Sequence, residues 1–338
     1  RLWRARPEAD FHLARFNAGD HIGAAAEEAR AESISRVLYP ADSTEAGQEL
    51  RLRQEYFFVA ASLQDLLRRH LKQRGSLDSL PDYTSIQLND THPAIAVAEL
   101  MRLLVDVHSY EWRHAWRLTT ATLSYTNHTL LPEALETWPV GLMERLLPRH
   151  MQIIYLINAY HLDNLRERGI HDAELLRSVS LIEEEHGRRV RMGNLAFLGS
   201  HSTNGVSGLH TQLMRKTVFT DLHRLYPQRI NSKTNGITFR RWLYQANPQL
   251  TRLLVEHLGE EVLDAPETSL RELEPYADQA GFRQRFAEQR LANKRHLANV
   301  IQERLGISVD PNALFDVQVK RIHEYKRQLL NLLHTVAL

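Results

Sequence analysis

Residues 84–105 read TSIQLNDTHPAIAVAELMRLLV, and the fold class turns on how they divide. Thr84 to Leu88 mixes apolar and β-branched residues over the length of a short strand. Pro93 to Val105 reads as a helix with Pro93 at its first position, where a fixed φ and a missing N–H cost nothing. Asn89-Asp90-Thr91-His92 lies between them. Thr91 suits a helix N-cap, and Asp90 complements the positive end of the helix dipole.

The same order of strand, polar turn and helix recurs along the chain. Ala121 to Tyr125 predicts a strand and Leu131 to Trp138 a helix. Leu195 to Gly199 predicts a strand and Gly205 to Lys216 a helix. Leu314 to Val319 predicts a strand, with a helix from Glu324 onward. This alternation predicts an α/β fold with a parallel sheet and helices on its faces. Upstream, a helix is expected over His21 to Val37, a polar loop over Tyr39 to Gly47 and a long helix over Glu49 to Arg74. Leu52, Tyr56, Val59, Leu63, Leu66 and Leu67 fall near helical spacing there, and Gly75 supplies the stop. Leu181 to Met192, with His186-Gly187 at its middle, predicts a hairpin decorating the sheet. A domain boundary is expected near Lys233, giving units 1–233 and 234–338, the second with few strands and incomplete.

Composition narrows the function. The 338 residues are 43% hydrophobic and 25% charged with a net charge of +1, enough for a sizeable core and without the basic excess of a nucleic-acid or membrane-surface binder. Neither nucleic acid nor membrane is expected as a partner. Absence of cysteine removes disulfides and thiolate chemistry and fits a reducing, cytoplasmic setting. No apolar run has the length of a membrane span, and no secretory leader opens the chain. The start at Arg1-Leu2-Trp3, and an end at Leu338 inside an apolar-periodic helix without a stop signal, predict a piece of a longer protein.

Ligands of open α/β sheets bind beyond the carboxyl ends of the strands. The predicted ends carry Asn89-Asp90-Thr91-His92, Thr126-Asn127-His128-Thr129 and Ser200-His201-Ser202-Thr203-Asn204-Gly205, with Lys233-Thr234-Asn235-Gly236 at the domain junction. Neutral groups that both donate and accept suit sugar hydroxyls. Each run also has a purely structural explanation, as an N-cap or a turn. Val319 to Arg327 (VKRIHEYKR) differs, because cations in the first turn of a helix oppose its dipole. Arg and Lys beside free backbone N–H groups favour an anion, so this run predicts a phosphate site; a solvated basic face paired with Glu324 is the plainer alternative. A sugar site and a phosphate site together suggest glycosyl transfer to phosphate. The chain lacks a dinucleotide fingerprint, a P-loop, a serine elbow and a helical His-Glu-x-x-His, so no metal site is expected. Paired carboxylates, such as Asp90 and Glu133, leave a hydrolase open.

Several long segments resemble the glycogen (α-1,4-glucan) phosphorylase family, bacterial type. They are VLYPADSTEAGQELRLRQEYF (Val37 to Phe57), IQLNDTHPAIAVAELMRLLVD (Ile86 to Asp106) and SYTNHTLLPEALETWP (Ser124 to Pro139). LLPRHMQII (Leu146 to Ile154), KTNGITFRRWL (Lys233 to Leu243) and FDVQVKRIHEYKRQLLNLLH (Phe315 to His334) follow in family order. The resemblance implies a GT-B fold, two Rossmann-like domains facing a cleft, both incomplete here. It also implies pyridoxal phosphate, a homodimer with allosteric control, and phosphorolysis of terminal α-1,4 bonds of glycogen or maltodextrin to glucose 1-phosphate. By position, His128, Arg321 and Lys326 match catalytic residues, the last two as ligands of the substrate phosphate. Asp90, His92, Asn235 and Ser43 match substrate contacts, while Lys320 and Trp242 match the cofactor site. Residues Tyr39 to Gly47 match a mobile gate, and the helix from His21 matches one that packs across the family's dimer interface.

The departures are specific. Ala41 and Ser43 stand where many members carry asparagines, and Phe239 stands where proline is common. The lysine that anchors the cofactor and the glycine-rich glucosyl-binding segment are not among these residues. The chain alone is therefore expected neither to bind the cofactor covalently nor to turn over. A non-catalytic glucan-binding protein is the alternative from another class.

Overall fold

The structure, a computed structural model, describes residues 3–8, 11–131, 135–185, 187–323 and 326–338. It is a mixed α/β protein that divides into two compact units, one ending at Asn235 and one beginning at Gly236.

The described residues of the first unit contain seven strands: β1 (Ile86–Asn89), β2 (Leu123–Thr126), β3 (Thr137–Pro139), β4 (Ile182–Glu183), β5 (Arg189–Arg191), β6 (Ser202–Gly205) and β7 (Ile230–Ser232). β1, β2, β6 and β7 form one parallel sheet in that order. Parallel neighbours need crossovers, and helices supply them. Ala96–Arg102, which continues as a wider π-turn over Leu103–Val107, and Trp112–Thr122 lie between β1 and β2. Trp112–Thr122 and Met192–Leu198 pack on β2, and Gly208–Lys216 packs on β6 and β7. The core runs through Leu88, Val97, Leu100, Met101, Leu123, Tyr125, Phe197, Met214 and Phe219. Within it Phe197 and Phe219 stack at 5.7 Å.

The long helix spans Glu45–Arg74. Thr44 accepts from the Gly47 amide at its start, and Gly75 ends it at φ +78°, a conformation glycine adopts without strain. Its Leu52, Val59, Leu63 and Leu67 enter the core, as the spacing predicts. The helix predicted from His21 is also present, over His21–Arg36.

Other expectations are corrected. Leu195 to Gly199 is not a strand, because Met192–Leu198 is a helix buried on every side. A short wholly apolar run carries no period, so it cannot separate a buried strand from a buried helix. The third polar run consequently leads into a strand, β6, which takes in its Ser202 to Gly205. Thr137 and Trp138 do not end a helix; as β3 they pair antiparallel with β5, placing Trp138 opposite Val190. Residues 132–134 of that predicted helix lie outside the described residues. The hairpin forms as β4 and β5, joined to β3 in a separate three-stranded sheet, with His186 outside the described residues.

The second unit is helical, chiefly Pro248–Leu258, Ala280–Leu305 and Gln328–Ala337. Leu253, Leu254, Val262 and Ala298 are buried. Asn247 ties two of its helices together, its Oδ1 accepting from Leu250 N, Gln289 Nε2 and Asn293 Nδ2. Leu314 to Val319 forms no strand, since none of the described residues of this unit offers a ladder. Val319 is 89% exposed. Alternation marks a strand only where a partner strand and a covering face exist. The last helix starts at Gln328, so the predicted cations precede it instead of occupying its first turn; Glu324 and Tyr325 lie outside the described residues.

Candidate active site

In the first unit the carboxyl ends of β1, β2 and β6 gather polar groups on one edge. Gln87 on β1 donates to Thr126 Oγ1 on β2 (2.7 Å) and to Asn204 Oδ1 on β6 (3.3 Å), while Thr126 Oγ1 donates to the same oxygen (2.8 Å). This side-chain line crosses three parallel strands and fixes their ends laterally. Just past it, His128 Nε2 donates to Asn89 Oδ1 at 2.6 Å, with the ring exposed. His128 is thus aimed by a neighbouring strand and leaves one face open to a ligand. Asn127 beneath it is fully buried, donating to Tyr125 Oη and accepting from Thr129 N.

Asp90 adopts φ +69°, a left-handed conformation that short polar residues tolerate better than most, and its carboxylate accepts from the Thr91 amide at 2.7 Å. Thr91 itself is buried. The turn delivers His92 to a different set of partners. Its Nδ1–H donates to Glu136 Oε1 at 3.1 Å and lies 3.5 Å from Glu55 Oε1. Hydrogen bonds to Glu136 and then Glu55 push the imidazole up to about 10, so it is an imidazolium near neutrality. Glu55 is 5% exposed at its side chain. Burial, reinforced by the charge of Glu136 and opposed by His92, lifts it to about 8. Glu55 Oε1 and Oε2 and Glu136 Oε2 are buried without a hydrogen-bond donor. A proton kept on Glu55 supplies the donor that this carboxylate pair lacks.

Arg51 completes the cluster, 3.7 Å from Glu55 Oε1 and 3.5 Å from Asp42 Oδ2. Ligand-capable atoms of Glu55, His92 and Glu136 lie within 4.8 Å of one another. Arg51 and the imidazolium already bring two cations there, and we read the group as an ion-pair network. Ser43 is exposed on the turn between Tyr39 and Gly47.

Sequence reasoning missed Glu55, Glu136, Arg51 and Gln87. One signal was available for Glu55, a carboxylate set three residues after Leu52 and four before Val59, on the buried stripe of the helix. Glu136 gave no such sign, lying in an irregular approach to β3. Of the first unit's expected residues, the fold places Asp90, His92 and His128 on adjacent strand ends. Asn235 is exposed at that unit's last position. Glu133 lies outside the described residues.

The second unit carries the remaining residues. Lys320 and Arg321 are exposed on an irregular segment. Gln328 closes that segment, its Nε2 donating to Arg321 O and its Oε1 accepting from His323 N; Gln318 Nε2 donates to Lys326 O. Three cations of a short stretch are thereby held on a pinned backbone. Trp242 lies in a π-helical turn, Arg240–Gln245, and is 72% exposed.

The chain is 51% identical over 337 residues to a glycogen phosphorylase of Haemophilus influenzae, covering all of this chain and 41% of that protein. It is 48% identical over 338 residues to one of Synechocystis sp., covering 40% of it. It is 48% identical over 346 residues to the muscle form of Bos taurus, covering 41%. The chain therefore spans about two fifths of the length of the curated relatives it matches. Residues 1–338 match the carbohydrate phosphorylase family throughout, and the chain belongs to that family.

Proposed function

We propose that the complete protein containing this chain cleaves terminal α-1,4 bonds of glycogen or a related glucan with inorganic phosphate, releasing glucose 1-phosphate. The observation that carries this reading is the unbroken family match across all 338 residues. The strand-end geometry supports it: His128, oriented by Asn89, presents an imidazole edge where a sugar hydroxyl can bind. Asp90, His92, Asn235 and Ser43 add neutral and charged partners for further hydroxyls. On this reading residues 1–233 are the later part of a glucan-binding and dimer-contact domain. Residues 234–338 begin a cofactor- and phosphate-binding one, each a Rossmann-like portion of a GT-B architecture.

Pyridoxal phosphate is the cofactor the reading implies. Lys320 and Arg321, exposed on the Gln328-closed segment, and the half-buried Lys326 fit a phosphate: a guanidinium fork and ammonium groups match its oxygens, and a pinned backbone lowers the entropy lost on binding. Lys320 and Trp242 would hold the cofactor, whose own phosphate supplies acid–base chemistry to the attacking phosphate. Arg321 and Lys326 bind the attacking phosphate and balance its charge. The anchoring lysine is proposed to lie outside these residues, so this chain alone is inactive. The helix His21–Arg36 is proposed as a homodimer contact, and a cytoplasmic, allosterically controlled enzyme follows from the same family reading. Among the described residues no helix is long and apolar enough to cross a membrane.

The test supplies the complete protein with pyridoxal phosphate, glycogen and inorganic phosphate, and measures glucose 1-phosphate. Phosphate-dependent product is expected. Arg321→Ala should lower the rate about a hundredfold, the scale of removing one preorganised charge partner. Free glucose formed without phosphate would sink the assignment.

A further inference from the structure

The segment between Tyr39 and Gly47, read above as a mobile gate, is fixed at both ends. At its far end Gly47 lies so close to the Ala41 carbonyl that an added Cβ would stand 2.2 Å from that oxygen. Thr44 Oγ1 also accepts from the Gly47 amide. At its near end Gln54, a buried amide of the long helix, makes three hydrogen bonds to the backbone that enters the segment. Its Nε2 donates to Ile34 O (2.7 Å) and Val37 O (2.8 Å), and its Oε1 accepts from Tyr39 N (2.9 Å). Tyr39 itself takes a left-handed φ of +55°, which costs an aromatic residue energy and persists only when its surroundings hold it.

The Tyr39 ring is where the segment meets the site. The Arg51 guanidinium lies over it, 5.3 Å from the centroid, and the His92 imidazole packs against it at 4.9 Å, tilted by 55°. Both are cationic groups, and an aromatic face attracts cations. The carboxylates facing these cations come from three places: Glu55 on the long helix, Glu136 before β3 and Asp42 within the segment. Asp90 adds its charge nearby.

We propose that Tyr39 is the latch of the 39–47 segment, a positioning residue whose ring holds that segment against His92 and Arg51. The inference rests on the gate reading given above, and it names the contact that holds the gate. Tyr39 does not touch the reacting atoms in this account. It acts through the position of its neighbours, and its ring, 51% exposed, contributes little to the core.

The test is the rate at which the protease Asp-N nicks the complete protein before Asp42, which follows the population of the opened segment when reclosing is fast. Tyr39→Leu removes the aromatic face and should raise the rate about tenfold, the scale of losing cation–π attraction at a partly desolvated site. Tyr39→Phe keeps the face and should stay within about twofold of the parent. His92→Asn should resemble Tyr39→Leu. Unfolding midpoints in urea, measured alongside, should not move. An unchanged rate in Tyr39→Leu, a rise in Tyr39→Phe as large as in Tyr39→Leu, or a rise matched by lost global stability would each overturn the latch. Absence of phosphorolysis in the parent protein would instead count against the functional reading, since nicking is scored without turnover.

Discussion

The two units use similar sequence patterns and reach different degrees of closure. In the first, apolar stretches such as Leu123 to Tyr125 and Met192 to Leu198 become fully buried, because a four-stranded sheet and its helices cover them from both sides. In the second, Gln328–Ala337 is just as apolar, yet Leu329, Leu332 and Val336 stay exposed. Burial, and hence energy, depends on what lies opposite a stripe and not on the stripe itself.

The largest effect that would break this comparison is a pair of truncations. Phe197→Ala in the first unit should cost about 3–5 kcal/mol, while Leu332→Ala in the second should cost less than about 0.5 kcal/mol. Urea unfolding midpoints of this chain measure both, and equal losses would remove the distinction.

A smaller effect concerns pH. His161 is buried in the first unit, with Tyr226 Oη 3.4 Å from its Nδ1. Burial first, then the charges of Arg229 and Arg168, lower it from 6.5 to about 4. The folded state therefore holds the neutral ring more firmly than the unfolded state does. Its contribution is complete above the unfolded value of 6.5 and is lost as pH falls through about 4, at most about 3 kcal/mol. His161→Gln should flatten this acid limb in urea titrations at pH 7 and pH 4; an identical slope in the variant would show that other groups carry it.

The smallest effect sharpens the division of labour between the units. Asn89→Ala removes the acceptor that aims His128, and should lower kcat/KM for glucan about five- to tenfold. The KM for inorganic phosphate should hold, because the phosphate ligands are assigned to the second unit. A change in the phosphate KM as large as the loss for glucan would dissolve that assignment.

The same contrast explains how much could be read in advance. The helices expected over His21 to Val37 and Glu49 to Arg74 are legible because long helices carry repeated evidence in their period and a stop such as Gly75; the second begins earlier, at Glu45, where only the structure reveals the Thr44 cap. Strand β1 and the polar turn after it were legible because apolar residues give way abruptly to Asn89-Asp90-Thr91-His92. Leu195 to Gly199 reads as a strand although it lies at the end of the helix Met192–Leu198, because a run buried all round has no polar face to display a period. Leu314 to Val319 reads as a strand for the opposite reason, having a strand's alternation without a neighbouring strand among the described residues of its unit. The site divides similarly. Asp90, His92 and His128 follow from strand ends and resemblance, whereas Glu136 and the Tyr39 contact depend on distant segments meeting.

By itself the sequence determined the α/β class, the long helices, the polar strand ends, the basic run and, through long collinear segments, the family. These rest on local chemistry, in which a residue's type and its near neighbours fix what its backbone prefers. Only the tertiary structure decided which apolar runs became strands, that Gln87, Thr126 and Asn204 join across three strands, and that His92 sits among Glu55, Glu136 and Tyr39. Those outcomes depend on partners far away in the chain. Burial and pairing energies exist only once the fold has brought such partners within a few ångströms.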